Sequence, residues 1–300
     1  MAVQKCGKQT MRVSVVIPGL NAPLIAQVLA AIDRQTVSPA EIIVVGRDDE
    51  RRITAQPVVR FVETPTPVSA ARARNQGAFL SSGDIIWFLD ADCLAHPQCL
   101  QYHLLAHQRG EVVVGGGITF DDTQYWHLCD NLAVFTPFLA TRPAGIRPFL
   151  PSLNLSLRRD LFIEIGGFDE RFSGASGEDT DLSFRLRRCG YRLFFEPAAV
   201  VKHVHRRLSS GDLWRHLASF GRSYVTIYPR YPEFTGRYRR TDLARGRPEW
   251  LRVLAPFFAV MDCVERYARY PELRAYPQTI PGLLLSRLAW YDGMARGMQQ

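Results

Sequence analysis

Two aspartates, Asp90 and Asp92, stand one residue apart directly after the apolar run Ile85 to Leu89. Carboxylates that close raise each other's pKa unless a cation compensates them. Oxygen ligands of this kind suit Mg²⁺ or Mn²⁺, hard ions that bind carboxylates and substrate phosphates together. The pair therefore predicts a metal-binding or phosphate-linked site, and a simple turn is the alternative.

Two histidines, His203 and His205, are further candidates for the same site. Both belong to a predicted strand, and we expect their side chains to point to opposite faces, so that only one faces the site. Imidazole is a common metal ligand, but a lone histidine can equally be a structural residue of the core.

A cluster of acids follows a glycine in the stretch "GEDTD", which contains Glu178, Asp179 and Asp181. Acids at the start of a helix are favoured by the helix dipole, and this explanation requires no chemistry. The alternative is a general base, because one carboxylate of a cluster can be tuned towards the working pH.

Apolar β-branched runs alternate with helical patterns along the first half of the chain, which predicts an α/β fold with a mostly parallel sheet flanked by helices. In such sheets ligands bind beyond the carboxyl ends of the strands, where Asp90 and Asp92 lie. We expect the stretch 121–151 to be an irregular, substrate-facing connection. The predicted strands are "RVSVVIP", "EIIVV", "VVRFVE", "IIWFL", "EVVVGGG", "NLSL" and two short strands within "YRLFFEPAAVVKHVH".

The charge of the chain is concentrated in one region. The net charge is +8, and the segment Lys202 to Arg247 alone contains eleven Lys or Arg against three acids. An anionic partner is therefore expected to meet this segment. No nucleic-acid-binding motif occurs, so no nucleic-acid partner is expected. Six scattered cysteines predict free thiols in a reducing cytoplasm.

Eight motifs in one order resemble family 2 of the glycosyltransferases, which have the GT-A fold. The resemblance extends over Met11 to Gly221. It implies an inverting transfer of a sugar from a nucleotide-diphosphate donor, with Mn²⁺ or Mg²⁺ as cofactor. The motifs are "SVVIPGLNA", "EIIVV", "ARNQGA", "GDIIWFLDADC", "NLSLRRDLF", "GGFDERF", "GEDTDLSFRLRRCGYRL" and "VKHVH".

The resemblance also implies roles for the candidate residues. The Asp-x-Asp motif, Asp90, Ala91 and Asp92, would hold the nucleotide and, through the metal, the diphosphate. Asp179 would be the catalytic base, with Glu178 beside it. His203 would complete the metal shell, with His205 as the alternative.

Other matched positions line the donor pocket and the acceptor side. Pro18 and Asn21 would pack on the nucleoside, and Arg74 and Asn75 would line the nucleotide pocket. Asn154 and the "GGFDE" turn would border the acceptor and the sugar.

One position departs from the family. The second strand usually ends in an aspartate that reads the nucleobase, but here "EIIVV" is followed by Gly46. Asp48 could take that role, so the donor could carry UDP, GDP or TDP.

The predicted domain boundary falls near residue 210. Residues 11–210 would form the GT-A catalytic domain, and residues 211–300 a basic, aromatic-rich helical extension. The extension could pack on the catalytic domain as a cap, or it could contact an anionic membrane peripherally, at the inner face of the cell membrane.

Several functions remain open from the sequence. The acceptor could be a glycan, a lipid-linked molecule or a small molecule, in cell-envelope or polysaccharide synthesis. A catalytically silent nucleotide-sugar-binding protein is an alternative. An Asp-x-Asp phosphohydrolase is another, although such enzymes place the motif after their first strand.

Overall fold

The computed structural model describes residues 11–54, 57–121, 123–172, 176–205, 207–235 and 247–299. Nine strands of this described part lie in one sheet with helices packed around it, so the predicted α/β architecture is confirmed. The strands are β1 (Val13–Leu20), β2 (Glu41–Arg47), β3 (Val59–Glu63), β4 (Ile85–Leu89), β5 (Cys93–Ala95), β6 (Val113–Thr119), β7 (Gly145–Ile146), β8 (Asn154–Arg158) and β9 (Leu193–His203).

The sheet has a parallel half and a mixed half. Its order is β3-β2-β1-β4-β8-β6-β9-β5, and β7 pairs with β9. The first four strands are parallel, and β4 is buried along its whole length, which explains its unbroken apolar sequence. Because β8 runs antiparallel to both β4 and β6, the second half is more mixed than the sequence pattern predicts.

Two strands differ from their predicted limits. β1 continues through Pro18 to Leu20, and β9 is one strand of eleven residues where two short ones are predicted. The register between β9 and β6 shifts between Gly116 and Gly117, and this irregularity absorbs the "EPAA" stretch that reads as a break in the sequence.

Ten α-helices are present among the described residues. They are α1 (Ile25–Asp33), α2 (Ala70–Leu80), α3 (Cys99–Gln108), α4 (Tyr125–Phe135), α5 (Arg159–Glu164), α6 (Glu178–Arg188), α7 (Ser210–Ile227), α8 (Pro232–Thr235), α9 (Pro248–Arg269) and α10 (Ile280–Gly297).

Helix α4 corrects the prediction that the stretch 121–151 is irregular. Leu128, Leu132 and Phe135 are spaced four and three residues apart and are buried on one side of this helix. The first residue of α4 contacts the C-terminal helix α10. There the Tyr125 hydroxyl accepts a hydrogen bond from the Gly282 amide at 3.1 Å. Of the aromatic residues of this stretch, Phe135 and Phe138 are buried in the core.

The helices after residue 210 pack against one another and against α4. Helices α7 and α10 approach so closely that an added Cβ at Gly221 would lie 2.0 Å from the Trp290 carbonyl oxygen, and one at Gly293 would lie 2.0 Å from that of Ala218. Only glycine fits at these two crossing points. The sequence prediction of a helical C-terminal region agrees with this arrangement.

Candidate active site

The centre of the site is a buried arginine between two carboxylates. Arg74, on α2, donates one hydrogen bond to Asp90 Oδ1 at 2.6 Å and another to Glu178 Oε1 at 3.0 Å. Its side chain is only 3% exposed. One guanidinium therefore joins the end of β4 to the start of α6, and it brings together two motifs that lie about ninety residues apart in the sequence.

The two acids at the start of α6 have different environments. Glu178 is buried, one of its oxygens is bound to Arg74, and the other has no partner among the described residues. Burial, with the charge of Asp179 beside it, raises the pKa of Glu178 to about 7. Asp179 is half-buried, and its Oδ1 accepts a hydrogen bond from the Thr180 amide at 2.7 Å. Desolvation also raises the pKa of Asp179 above its ordinary value.

Gly177 allows this helix to start where it does. Its φ of 98° is in the left-handed region, and an added Cβ would lie 2.8 Å from the Cβ of Ser223 on α7. A side chain here would be strained and would also collide with α7. Asp181, the third acid of the cluster, accepts hydrogen bonds from Tyr231 and Arg185. Both of its oxygens are occupied, so it is not available as a base.

Asp92 and His203 form the second part of the site. The antiparallel pairing of β5 with β9 sets Cys93 opposite His203, and this register brings Asp92 Oδ2 to 3.6 Å from His203 Nε2. His203 Nδ1 lies 2.7 Å from Asn131 Oδ1, which can only accept, so the proton is on Nδ1 and the lone pair of Nε2 faces the carboxylate.

This arrangement fits a divalent cation. A carboxylate oxygen and an imidazole nitrogen that face each other just beyond hydrogen-bond distance can be bridged by a metal ion. The sulfur of Cys93 lies within 4.8 Å of both ligand atoms. Burial, with the charges of Asp92 and Asp90 nearby, raises the pKa of the Cys93 thiol well above its ordinary value of 9.0, and Mg²⁺ and Mn²⁺ prefer oxygen ligands to sulfur.

His205 does not fit the alternative role of metal ligand. Its Nδ1 accepts the Arg207 amide proton at 3.1 Å, so the ring proton is on Nε2, which lies 3.1 Å from Asp130 Oδ2. Neither nitrogen then has a lone pair for a metal. The expectation that the two histidines point to opposite faces is also wrong, since their ring centroids are 4.9 Å apart. Side chains two residues apart along a strand lie on the same face.

A matched pair of substitutions tests this assignment. In His203→Asn the amide can still donate to Asn131, but the Nε2 lone pair is lost, and we expect Mn²⁺ affinity to fall by about tenfold or more. In His205→Gln the amide can still donate to Asp130, and we expect Mn²⁺ affinity to change by less than about threefold. Calorimetric titration with Mn²⁺ measures both. A larger loss in His205→Gln than in His203→Asn would reverse the assignment.

The loop after β1 is closed by its own side chains. Asn21, with a φ of 47°, donates to Asp49 Oδ2 at 2.8 Å and accepts from the Asp49 amide at 2.8 Å. Pro18 is paired within the sheet with Val45. The amide of Asn21, predicted to contact the nucleoside, therefore holds this loop against the end of β2.

Gly46 explains why the end of β2 has no aspartate. An added Cβ would lie 1.8 Å from the Gly19 carbonyl oxygen, so no side chain fits here. Asp48 is the next acid, and its Oδ2 accepts from the Ile53 amide at 2.7 Å. Its Oδ1 is buried without a partner among the described residues, as expected of a group that awaits a hydrogen-bond donor.

Two predicted pocket residues have structural roles instead. Asn75 accepts from the Phe168 amide at 2.8 Å and donates to the Phe168 carbonyl and to Glu170, so it clamps the "GGFDE" turn onto α2. Asn154 is 1% exposed and binds Trp87, His103 and the Ala199 carbonyl inside the core. The oxygen and nitrogen of both amides are thus used in hydrogen bonds within the protein.

A cavity of about 590 Å³ is lined in part by the "GGFDE" turn. Asp90, Asp92 and His203 do not line it. Its charges are largely paired with one another, as in Arg185 with Asp181. Its lining includes Asn75, Phe79, Asp169, Arg171, Arg188 and Arg230.

The residues that hold His203 in place carry no motif in the sequence. Asn131 lies on α4 and fixes the tautomer of His203, and Asp130 beside it is fully buried. Burial alone would raise the pKa of Asp130, but hydrogen bonds from His205 and His216 and the charge of Arg207 keep it well below its ordinary value. The apolar spacing of α4 is the signal that could have predicted the helix.

Comparison with known proteins places most of this chain among glycosyltransferases. The family model described as glycosyl transferase family 2 matches residues 14–166, and one described as N-terminal domain of galactosyltransferase matches residues 148–207. Validoxylamine A glucosyltransferase of Streptomyces hygroscopicus subsp. limoneus is 33% identical, over 59% of this chain and 48% of its own length. The chain thus spans about half the length of that relative.

Solved structures show the same fold at low sequence identity. The mannosyltransferase PcManGT from Pyrobaculum calidifontis, in complex with GDP-Man and Mn²⁺, is 19% identical with a TM-score of 0.60, over 93% of this chain and 86% of its own. GalNAc-T7 with UDP, GalNAc and Mn²⁺ is 17% identical with a TM-score of 0.54, over 72% of this chain and 48% of its own. The architecture is therefore that of GT-A enzymes.

Proposed function

Because the chain belongs to glycosyl transferase family 2, we propose that it transfers a sugar from a nucleotide-diphosphate sugar to an acceptor hydroxyl, with inversion at the sugar carbon. The observation that carries this proposal is the bridge of Arg74 between Asp90 and Glu178. It joins a carboxylate pair suited to the donor to a second acidic pair that is suited to activate an acceptor.

Asp92 and His203 would hold a divalent cation on the donor side. Such a cation, when bound, supplies positive charge against the negative charge that develops on a leaving nucleotide diphosphate. Asp90 is held in place by Arg74, and its second oxygen is available to the donor. Asn131 fixes the tautomer of His203, so this side of the site is preorganised.

Asp179 is the proposed base. An inverting transfer requires a carboxylate that removes the acceptor proton on the face opposite the leaving group. Asp179 is the more exposed acid of the pair, whereas Glu178 is fixed by Arg74. The raised pKa of Asp179 makes it a stronger base than an ordinary aspartate.

The nucleobase of the donor is proposed to meet Asp48. Its second carboxylate oxygen, which has no partner within the described part of the chain, can accept a hydrogen bond from uracil, guanine or thymine, so UDP, GDP and TDP sugars are all candidates. Structures of similar fold contain GDP-Man or UDP together with Mn²⁺. The acceptor is proposed to be a glycan, a lipid-linked molecule or a small molecule.

A thermal-shift screen of nucleotide diphosphates and their sugars, with and without Mn²⁺, tests this function. A ligand at a hundred times its dissociation constant stabilises the fold by about 2.7 kcal/mol, which is readily measured. We expect a metal-dependent shift with one nucleobase and its loss in Asp92→Ala. No shift with any nucleotide would contradict a donor site and favour a catalytically silent protein.

The phosphohydrolase alternative fits the architecture less well. Asp90 and Asp92 follow the fourth strand of the chain, and Asp90 is bound to a buried arginine. A nucleophilic aspartate would need to be free to attack phosphorus. Release of phosphate from a phosphomonoester, unaffected by Asp179→Asn, would favour the hydrolase.

A further inference from the structure

The sulfur of Cys93 forms a compact cluster with the two residues of the candidate metal site. It lies within 4.8 Å of an oxygen of Asp92 and a ring nitrogen of His203, which are equally close to each other. Cys93 Sγ is 3.8 Å from Asp92 Oδ1, and Asp92 Oδ2 is 3.6 Å from His203 Nε2. Within the described part of the chain, no other group of three such side chains could hold a metal ion.

The spacing of these atoms is closer to tetrahedral than to octahedral coordination. Adjacent ligands of a tetrahedral zinc ion, at bond lengths of about 2.0–2.3 Å, are roughly 3.3–3.6 Å apart. Adjacent ligands of an octahedral Mg²⁺ ion are only roughly 2.9 Å apart. The separations of 3.6 and 3.8 Å in this cluster therefore suit the larger tetrahedral spacing.

Two paired strands hold the sulfur and the imidazole in position. β5 and β9 are antiparallel with Cys93 directly opposite His203, so both side chains lie on the same face of the sheet. Both residues are buried, whereas the side chain of Asp92 is 36% exposed. Three protein ligands with one side open to solvent are typical of a zinc site that keeps a position for a further ligand.

The chemistry of the thiol decides which ions gain from the third ligand. Burial, and then the charges of Asp92 and Asp90, raise the pKa of Cys93, so sulfur binds a cation only after it loses its proton. A bound divalent ion deprotonates a coordinating thiol, and the proton passes to solvent as the sulfur–metal bond forms. Zn²⁺ and Co²⁺ bind thiolate more strongly than Mn²⁺ or Mg²⁺ does.

We propose that Cys93, Asp92 and His203 form a thiolate-containing site for Zn²⁺, which displaces Mn²⁺ and thereby inhibits transfer. The inhibition rests on the proposed function, whereas the binding of Zn²⁺ does not. A tetrahedral ion with three protein ligands has one position left, but an octahedral ion on Asp92 and His203 has four. A diphosphate that binds one ion through two oxygens would therefore be held less well by Zn²⁺.

Co²⁺ is the spectroscopic probe of this site. We expect the protein with Co²⁺ to show the near-ultraviolet charge-transfer band of a sulfur ligand, and added Zn²⁺ to remove that band by displacement. In Cys93→Ser the band should disappear. Calorimetric titration of the same variant should show Zn²⁺ affinity lowered by about tenfold or more and Mn²⁺ affinity changed by less than about threefold.

The matched control is Cys99→Ser. Cys99 is also fully buried, but its thiol donates to Asn154 Oδ1 at 3.7 Å, so its loss should leave the Co²⁺ spectrum unchanged. All proteins in the series carry Cys6→Ser and Cys189→Ser, because Cys189 is exposed and Cys6 lies outside the described residues. Thermal melting verifies that both variants fold.

Three outcomes would overturn the proposal. They are a Co²⁺ complex without the charge-transfer band, a band that persists in Cys93→Ser, and equal losses of Zn²⁺ and Mn²⁺ affinity in that variant. Displacement is followed separately, by the electron paramagnetic resonance of Mn²⁺ released when Zn²⁺ is added. Metal-dependent nucleotide binding without the band would refute this site and keep the proposed reaction, whereas the band without any nucleotide binding would keep the site and contradict the reaction.

Discussion

Replacing Asp179 with Asn is expected to lower turnover by about a thousandfold while donor affinity stays within about threefold of normal. The amide keeps the size of the side chain and its hydrogen bond from the Thr180 amide, but it cannot accept a proton from the acceptor hydroxyl. Single-turnover kinetics with the donor identified by thermal shift measures the first effect, and titration of the nucleotide measures the second.

The control for this substitution is Asp181→Asn. Asp181 lies two residues along the same helix and is bound to Tyr231 and Arg185, so its replacement should act mainly on stability. Near-normal turnover in Asp179→Asn would remove it as the base. Glu178, which has one oxygen without a partner among the described residues, would then be the next candidate.

Replacing Arg74 with Met is expected to destabilise the protein by about 3–5 kcal/mol at neutral pH. The substitution leaves Asp90 and Glu178 facing each other without the cation that separates them, and Glu178 is buried. Chemical denaturation followed by circular dichroism measures the loss. A change below about 1 kcal/mol would mean that water or relaxation compensates these charges, contrary to the arrangement described.

The effect of Arg74→Met on the free energy of unfolding is also expected to depend on pH. Burial raises the pKa of Glu178 from an ordinary value of 4.5 to about 7, so the folded state holds this proton more tightly than the unfolded chain does. The contribution of Glu178 to stability, measured as the difference between wild type and Glu178→Gln, should therefore fall as pH rises from about 4.5 to about 7. The gap between wild type and Arg74→Met should widen above about pH 7, where Glu178 ionises beside Arg74 in the wild type but has no cation to pair with in the variant.

A double variant is the matched control. Arg74→Met with Glu178→Gln removes the buried charge together with its partner, and it should recover a large part of the stability lost in Arg74→Met alone. If the double variant is as unstable as the single one, lost packing of the arginine, which lies against the ring of Phe168, is the main cause.

Local sequence patterns predict the secondary structure well where the period is strong. The buried strand Ile85–Leu89 and the helix Glu178–Arg188 occur as predicted, and Gly190 ends that helix with a φ of 87°. The family resemblance is confirmed by the match to residues 14–166. Both successes depend on residues close together in sequence, where spacing alone carries the information.

The errors concern contacts that only the fold can create. Asn75 and Asn154 occupy positions that the resemblance assigns to the pocket, yet their amides are used by Phe168 and Ala199, far away in sequence. His205 Nε2 lies 3.1 Å from Asp130 Oδ2. Such long-range hydrogen bonds leave no periodic trace in the sequence, so spacing could not distinguish a ligand from a structural histidine.

The hydrogen bond from His216 to Asp130 has a practical consequence for experiments on a shortened chain. His216 lies on α7, beyond residue 210, and its Nδ1 is 2.6 Å from a carboxylate with no exposed surface. A truncation at the predicted domain boundary would remove this donor and expose Asp130, the carboxylate that also binds His205. We therefore expect residues 11–210 on their own to be insoluble or inactive, so the practical minimum for expression includes α7 and the helix α10 that covers it.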